Sequence, residues 1–368
     1  MNELSELHAR VLWAAFGVSM VFGWVAQKTH FCTMGAISDI VNMGDWTRMR
    51  MWVLAVAVAM LGFYGMGALG WIDLSRTFYI STRIIWLSAL VGGALFGFGM
   101  VLASGCGSKT LVRIGGGSLK ALVVFFIMGV SAFATLRGIT AVLRVNTVDT
   151  VAWDAPAGSL PALVSHLTGS VSSNLGLVVA LLVGGAMLCW VLSSRSFWTL
   201  DHLLAGVGVG ASVVAMWWVT GYLGYVPEHP ETLESVYLAT SSGLMESLTF
   251  TAPMAYTLDW LQSYSDTSKR LTVGVVSVLG VVVGAFVHSM ATRSFRWEGF
   301  RDTQDTALHI VGAVLMGIGG VTAMGCTVGQ GLSGLSTLSL VSVIAVTGIV
   351  LGALGGLRFQ LWLVMRDV

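Results

Sequence analysis

Nine stretches of this chain, each about 20 residues long, run almost free of charged side chains. They cover residues 11–30, 51–71, 84–104, 120–137, 175–194, 203–222, 271–292, 306–325 and 336–357. A helix rising 1.5 Å per residue needs about 20 apolar residues to cross a hydrocarbon core of ~30 Å, so each stretch predicts one membrane span. Only 10% of the residues are charged, where a soluble domain carries about a quarter, and mean hydropathy is +0.83. The expected fold class is therefore all-α, a polytopic membrane protein of about nine transmembrane helices.

The remaining apolar pieces, 33–43, 107–117, 240–256 and 327–334, are too short or too rich in glycine to cross as helices. They read as re-entrant segments. Backbone broken at membrane depth leaves N–H and C=O groups that hydrocarbon cannot satisfy, so such breaks persist only where protein or water lines a cavity.

Charge excludes several functions. Nineteen Lys and Arg against eighteen Asp and Glu give a net charge of +1, which favours neither nucleic acid nor a polybasic surface anchor. The expected partners are a small solute and membrane lipid. The opening "MNELSELHARVLW" has no basic region ahead of its apolar run, so that run is expected to stay as a span. Cys32, Cys106, Cys189 and Cys326 form no CxxC pair, and no glycine run has the Walker lysine context. Neither a metal, a cofactor nor a bound nucleotide is expected.

Residues 138–174, with Asp149, Asp154, Pro156 and Pro161, read as an aqueous linker between two halves. Those halves repeat. Aligning 91–106, "VGGALFGFGMVLASGC", with 311–326, "VGAVLMGIGGVTAMGC", gives nine identities in sixteen positions. The shared frame is G-x-G-x5-G-C, and a weaker echo sets Gly23 nine residues before Cys32. The two matching spans are the third and the eighth, so they cross in opposite senses and predict an inverted repeat. The expected units are a first repeat at 1–143, a linker with a connecting span at 144–197, and a second, inverted repeat at 198–368.

With the N-terminus on one side, twelve basic residues fall on the opposite side and seven on its own. The positive-inside tendency then sets the N-terminus outside and the C-terminus in the cytoplasm, with the linker and the acidic stretch 227–234 outside.

Glycines Gly92, Gly97, Gly312 and Gly317 read equally as close helix packing. Cys106 and Cys326, at equivalent points of the repeat, read as functional, as does Cys32 in "KTHFCTMG"; Cys189 lies in plain apolar helix. Thiols in a dry constriction stay protonated and offer weak S–H donors, which suit a soft acceptor such as sulfur or selenium and permit its release. Glu246 sits in apolar surroundings as a candidate proton or gating residue, or as an interfacial carboxylate.

Three motifs, "FGWVAQKTHFCTMGAISD", "GALFGFGMVLASGCGSKTLVRIGGGSLKAL" and "GIGGVTAMGCTVGQGLSGLSTLSL", resemble those of the YeeE/YedE family, sulfur-compound transport proteins of the prokaryotic inner membrane. The resemblance runs through nearly the whole chain. It implies nine spans with inserted short helices, and uptake of thiosulfate passed along three thiols by S–H to sulfur hydrogen bonds, without catalysis. It points to Cys32, Cys106 and Cys326 as those thiols, to Lys109 and Gln330 near them, and to Gly105, Gly107, Gly325 and Gly329 as shapers of the loops. Lys109 reads equally as a snorkelling lysine, and His30 as a ligand contact or a hydrogen-bonded interfacial residue. The resemblance also implies a small cytoplasmic sulfur-carrier protein as partner. A selenium-compound transporter of the same architecture and a membrane sulfurtransferase working through a cysteine persulfide are the alternatives.

Overall fold

A computed structural model describes residues 2–169, 174–230, 233–266 and 269–366. Helices follow one another as α1 (Asn2–Lys28), α2 (Thr33–Met43), α3 (Thr47–Ala68), α4 (Trp86–Leu102), α5 (Gly107–Gly115), α6 (Leu119–Arg137), α7 (Ile139–Asn146), α8 (Leu160–Thr168), α9 (Leu175–Leu192), α10 (Leu200–Trp218), α11 (Thr251–Gln262), α12 (Val273–Ala291), α13 (Thr303–Thr322) and α14 (Leu340–Arg366). A π-helical turn, Gly329–Gly334, lies between the last two. Among the described residues nine helical segments are long and apolar enough to cross a membrane, and the chain is a multi-pass membrane protein.

The nine spans fall where the apolar runs predict them, with shifted ends. The eighth is Thr303–Thr322 and not 306–325, because Asp302 caps it by accepting from the Asp305 N–H at 2.7 Å. The ninth extends to Arg366, whose guanidinium stacks on Trp362 at the helix end. The piece 240–256 is helical only from Thr251, so Glu246 precedes the helix in irregular chain. Pro253 falls in the first turn of α11, where its missing N–H has no intrahelical partner to lose. The linker has structure of its own: it holds α7 and α8, and β2 (Trp153–Asp154) pairs antiparallel with β1 (Arg83–Ile84). Residues 170–173 of that linker and 231–232 of the acidic stretch lie outside the described residues.

Glycine faces bring the helices to backbone contact. A Cβ on Gly92 would strike the Ala323 amide, and one on Gly312 would strike the Ala103 amide, the same contact with each residue exchanged for its counterpart in the sequence repeat. Gly97 packs on Ile349 and Ala353 of α14, while Gly317 packs on Met128 and Ala132 of α6. These four glycines are packing residues, since a side chain at any of them would overlap main chain on the neighbouring helix.

On the face carrying Lys28, Arg48 and Arg113, an ion network ties α5 and α6 to α13. Buried Lys120 meets Asp305 at 2.8 Å and Glu298 at 3.6 Å, Arg113 meets Glu298 at 3.4 Å, and His309 meets Asp305 at 3.0 Å. Partial burial works to raise the Glu298 carboxyl, but Arg113 and Lys120 outweigh it and hold the group below the usual carboxylate range.

Candidate functional site

Each of three long helices ends in the same way, and each ending delivers a cysteine. The amides of Phe31, Gly105 and Gly325 reach back five residues to the carbonyls of Ala26, Met100 and Gly320, at 3.2, 2.8 and 2.8 Å. That is the Schellman closure, which requires a left-handed residue just before the amide. Those residues are His30 (φ 52°), Ser104 (φ 56°) and Met324 (φ 56°), each two positions ahead of its thiol. A side chain in this conformation costs roughly 1–2 kcal/mol, and glycine would avoid it.

Soon after each closure the chain starts a new helical segment, with Cys32 and Cys106 at the cap positions of α2 and α5 and Cys326 three residues ahead of the π-helical turn. Cys32 Sγ accepts from the Gly35 N–H at 3.4 Å, and Cys326 Sγ from the Gly329 N–H at 3.4 Å. Cys106 precedes α5 and sets its sulfur 3.3 Å from the Ser108 hydroxyl. Free N–H groups at such a start carry partial positive charge, so each sulfur stands at an electropositive point.

The three thiols come together although long stretches of chain separate them. Cys32 and Cys106 lie against one another, and Thr327, next to Cys326, faces Cys106. The amides of Phe250 and Val328 also face the Cys326 sulfur. Cys106 is 1% exposed and Cys326 0%, whereas Cys32 is partly exposed. Cys189 is exposed on α9 and has no part in this group.

Lys109 stands in the first turn of α5, close to Cys32 and Cys106, with Arg48, Arg113 and exposed His30 around it. This makes a basic mouth on one side of the thiols. Gln330 is fully committed: its amide donates to the Ala323 carbonyl at 2.8 Å and accepts from Ser342 at 2.6 Å. It braces the break and is 1% exposed. A Cβ on Gly105, Gly107 or Gly325 would come within 3.0–3.3 Å of the Lys109, Met128 and Gln330 side chains, which would have to give by a few tenths of an ångström.

Glu246 belongs to the opposite side. It lines a cavity of about 330 Å³ with Tyr79, Arg144, Tyr256, Met324 and Gly325, the last adjoining Cys326. Its carboxylate accepts from the Ser242 N–H at 2.7 Å. Gly325 thus sets the cavity next to Cys326 in the chain, while Lys109 lies near Cys32 and Cys106.

Sequence reasoning singled out the cysteines and missed what sets them. His30, Ser104 and Met324 carry no mark of left-handed backbone, since that conformation normally selects glycine. Arg144, on the linker helix α7, carried no signal at all. Thr327 could have been found as the residue following a repeated thiol.

The sulphur transport family matches residues 28–354 of this chain. The thiosulfate transporter TsuA of Escherichia coli is 27% identical over 325 residues, 85% of this chain and 84% of that protein. The protein of the same name from Spirochaeta thermophila is 24% identical over 329 residues, 88% of this chain and 91% of that one. The probable transporter YedE of Salmonella typhimurium is 28% identical over 112 residues, 30% of this chain and 26% of its own length.

Proposed function

Because the chain belongs to the sulphur transport family, we propose that it moves thiosulfate, or a related sulfur-containing anion, through a membrane along Cys326, Cys106 and Cys32. The observation that carries this reading is that three cysteines each follow the same helix closure, with Cys32 against Cys106 and Thr327, the neighbour of Cys326, facing Cys106. Two relatives that span most of the chain are named thiosulfate transporters.

The chemistry follows from the thiols. A protonated S–H donates weakly, so it can hold the terminal sulfur of the anion and release it to the next donor. Amide N–H groups at the helical starts offset the anion's charge. The anion enters through the cavity, which is lined by Glu246, acting as a proton or gating group, and by Arg144, itself paired with Asp149 at 3.0 Å, and it leaves beside Lys109 and His30. Gln330, Gly105, Gly107 and Gly325 hold the breaks in shape. No covalent step on the anion is needed.

The basic mouth faces the cytoplasm in this reading, with the cavity and linker outside, the N-terminus outside and the C-terminus inside a prokaryotic inner membrane. The reciprocal glycine contacts between repeat counterparts support two inverted units, 1–143 and 198–368, joined through 144–197. A small sulfur-carrier protein would collect the anion at the basic mouth.

Uptake by purified protein in liposomes tests the proposal, with labelled thiosulfate and sulfate, sulfite, selenite and tetrathionate as competitors. Cys106→Ser keeps the size and hardens the donor, and is expected to lower uptake at least about tenfold, equivalent to about 1.4 kcal/mol. Unchanged uptake in that variant removes the thiol relay.

A further inference from the structure

Cys32 and Cys106 belong to different breaks, yet their side chains lie against one another. Both stand in extended backbone at the cap positions of α2 and α5, and both are free thiols. Cys32 is partly exposed, Cys106 is buried, and Lys109 stands close to the two of them. Cys326 is engaged otherwise, its sulfur accepting from the Gly329 N–H at 3.4 Å with the Phe250 and Val328 amides also facing it. Two touching thiols of which one is accessible make a redox-sensitive pair, because the first sulfur can take up an oxidant and the second can resolve the adduct. The attacking species is a transient thiolate, which a nearby lysine favours.

We propose that Cys32 and Cys106 form a disulfide when they meet an oxidant that carries a sulfur–sulfur bond, a polythionate such as tetrathionate, and that this cross-link shuts the route. The Cys32 sulfur attacks one of the two inner sulfurs of tetrathionate, the bond between those two breaks, and one thiosulfate leaves while the other half stays bonded to Cys32. The Cys106 sulfur then attacks the Cys32 sulfur, and the second thiosulfate departs. Two thiols and one tetrathionate thus give one disulfide, two thiosulfates and two protons, which pass to water; the thiols are oxidised and the tetrathionate is reduced. Both S–H donors are lost to the relay until a thiol reductant restores them. The cross-link rests on the contact of the two thiols alone, whereas the loss of uptake rests on the transport reading above.

The test uses Cys189→Ala, which removes the exposed thiol on α9 and with it cross-linking between molecules; Cys189→Ser carries it if the alanine variant does not fold. Purified protein in liposomes is treated with tetrathionate, the remaining thiols are alkylated, and the protein is digested without reductant for mass spectrometry. The expected result is a peptide pair joined through Cys32 and Cys106 with Cys326 alkylated, together with loss of thiosulfate uptake that dithiothreitol reverses. Alkylation of both Cys32 and Cys106, a tetrathionate-derived adduct that stays on Cys32, or a link from Cys106 to Cys326 overturns the inference and leaves the transport reading standing. A Cys32–Cys106 link that leaves uptake unchanged overturns the shutting of the route. The link in a protein that takes up no thiosulfate before treatment overturns the transport reading and leaves the disulfide site standing.

Discussion

At each of the three thiol breaks a residue other than glycine holds left-handed backbone, two positions before the cysteine. Ser104 is the clearest instance, because it is exposed and its side chain buries nothing that glycine would lose. Ser104→Gly is expected to stabilise the protein by about 1 kcal/mol, read as a higher midpoint in thermal unfolding in mild detergent. A lowered midpoint would show that the serine side chain supports the break. Cysteine at the cap follows a related logic: serine, threonine or aspartate would cap better, but each offers a hard oxygen where the proposed path needs a soft donor. None of this was legible locally. "HFC", "SGC" and "MGC" share only a final cysteine, and their common backbone is set by the helices that end and begin around them.

Among the helices, α4 and α13 form the central crossing, and each also packs against a partner from the other half. Gly97 meets α14 as Gly317 meets α6, so the two sites should respond alike to the same insult. Gly97→Ala and Gly317→Ala are each expected to cost about 1–3 kcal/mol, because the added methyl overlaps main chain that cannot move aside. Unfolding in detergent against the unmodified protein measures this, and a cost at one site only would weaken the case for equivalent halves. The long helices were readable from their apolar runs, and so were the short pieces at 33–43 and 107–117. The piece at 240–256 was not: its hydropathy is continuous, while the helix waits until Thr251. Apolar composition cannot separate extended chain buried against protein from a short helix, since both hide the same side chains.

For the molecule as a whole, the proposed route would be closed at its middle by the two buried sulfurs of Cys106 and Cys326. A solute that binds there stabilises the folded state by mass action. Thiosulfate at about 100 times its dissociation constant should add about 2.7 kcal/mol. The shift in unfolding midpoint should be clear with thiosulfate, much smaller with sulfate at equal concentration, and reduced in Cys106→Ser; equal shifts with both anions would remove the case for soft-donor selection. The sequence alone determined the span count, the repeat and the two cysteines, Cys106 and Cys326, at its equivalent breaks, because hydrophobic run length and a shared G-x-G-x5-G-C frame are local properties, while Cys32 was marked by the family resemblance. Only the tertiary structure decided that Cys32 lies on Cys106, that Thr327 looks at the same thiol, and that Gln330 is a brace whose amide is already occupied. Such contacts join residues distant in the chain, and the crossing of helices packed glycine to backbone, which no single segment encodes, sets them.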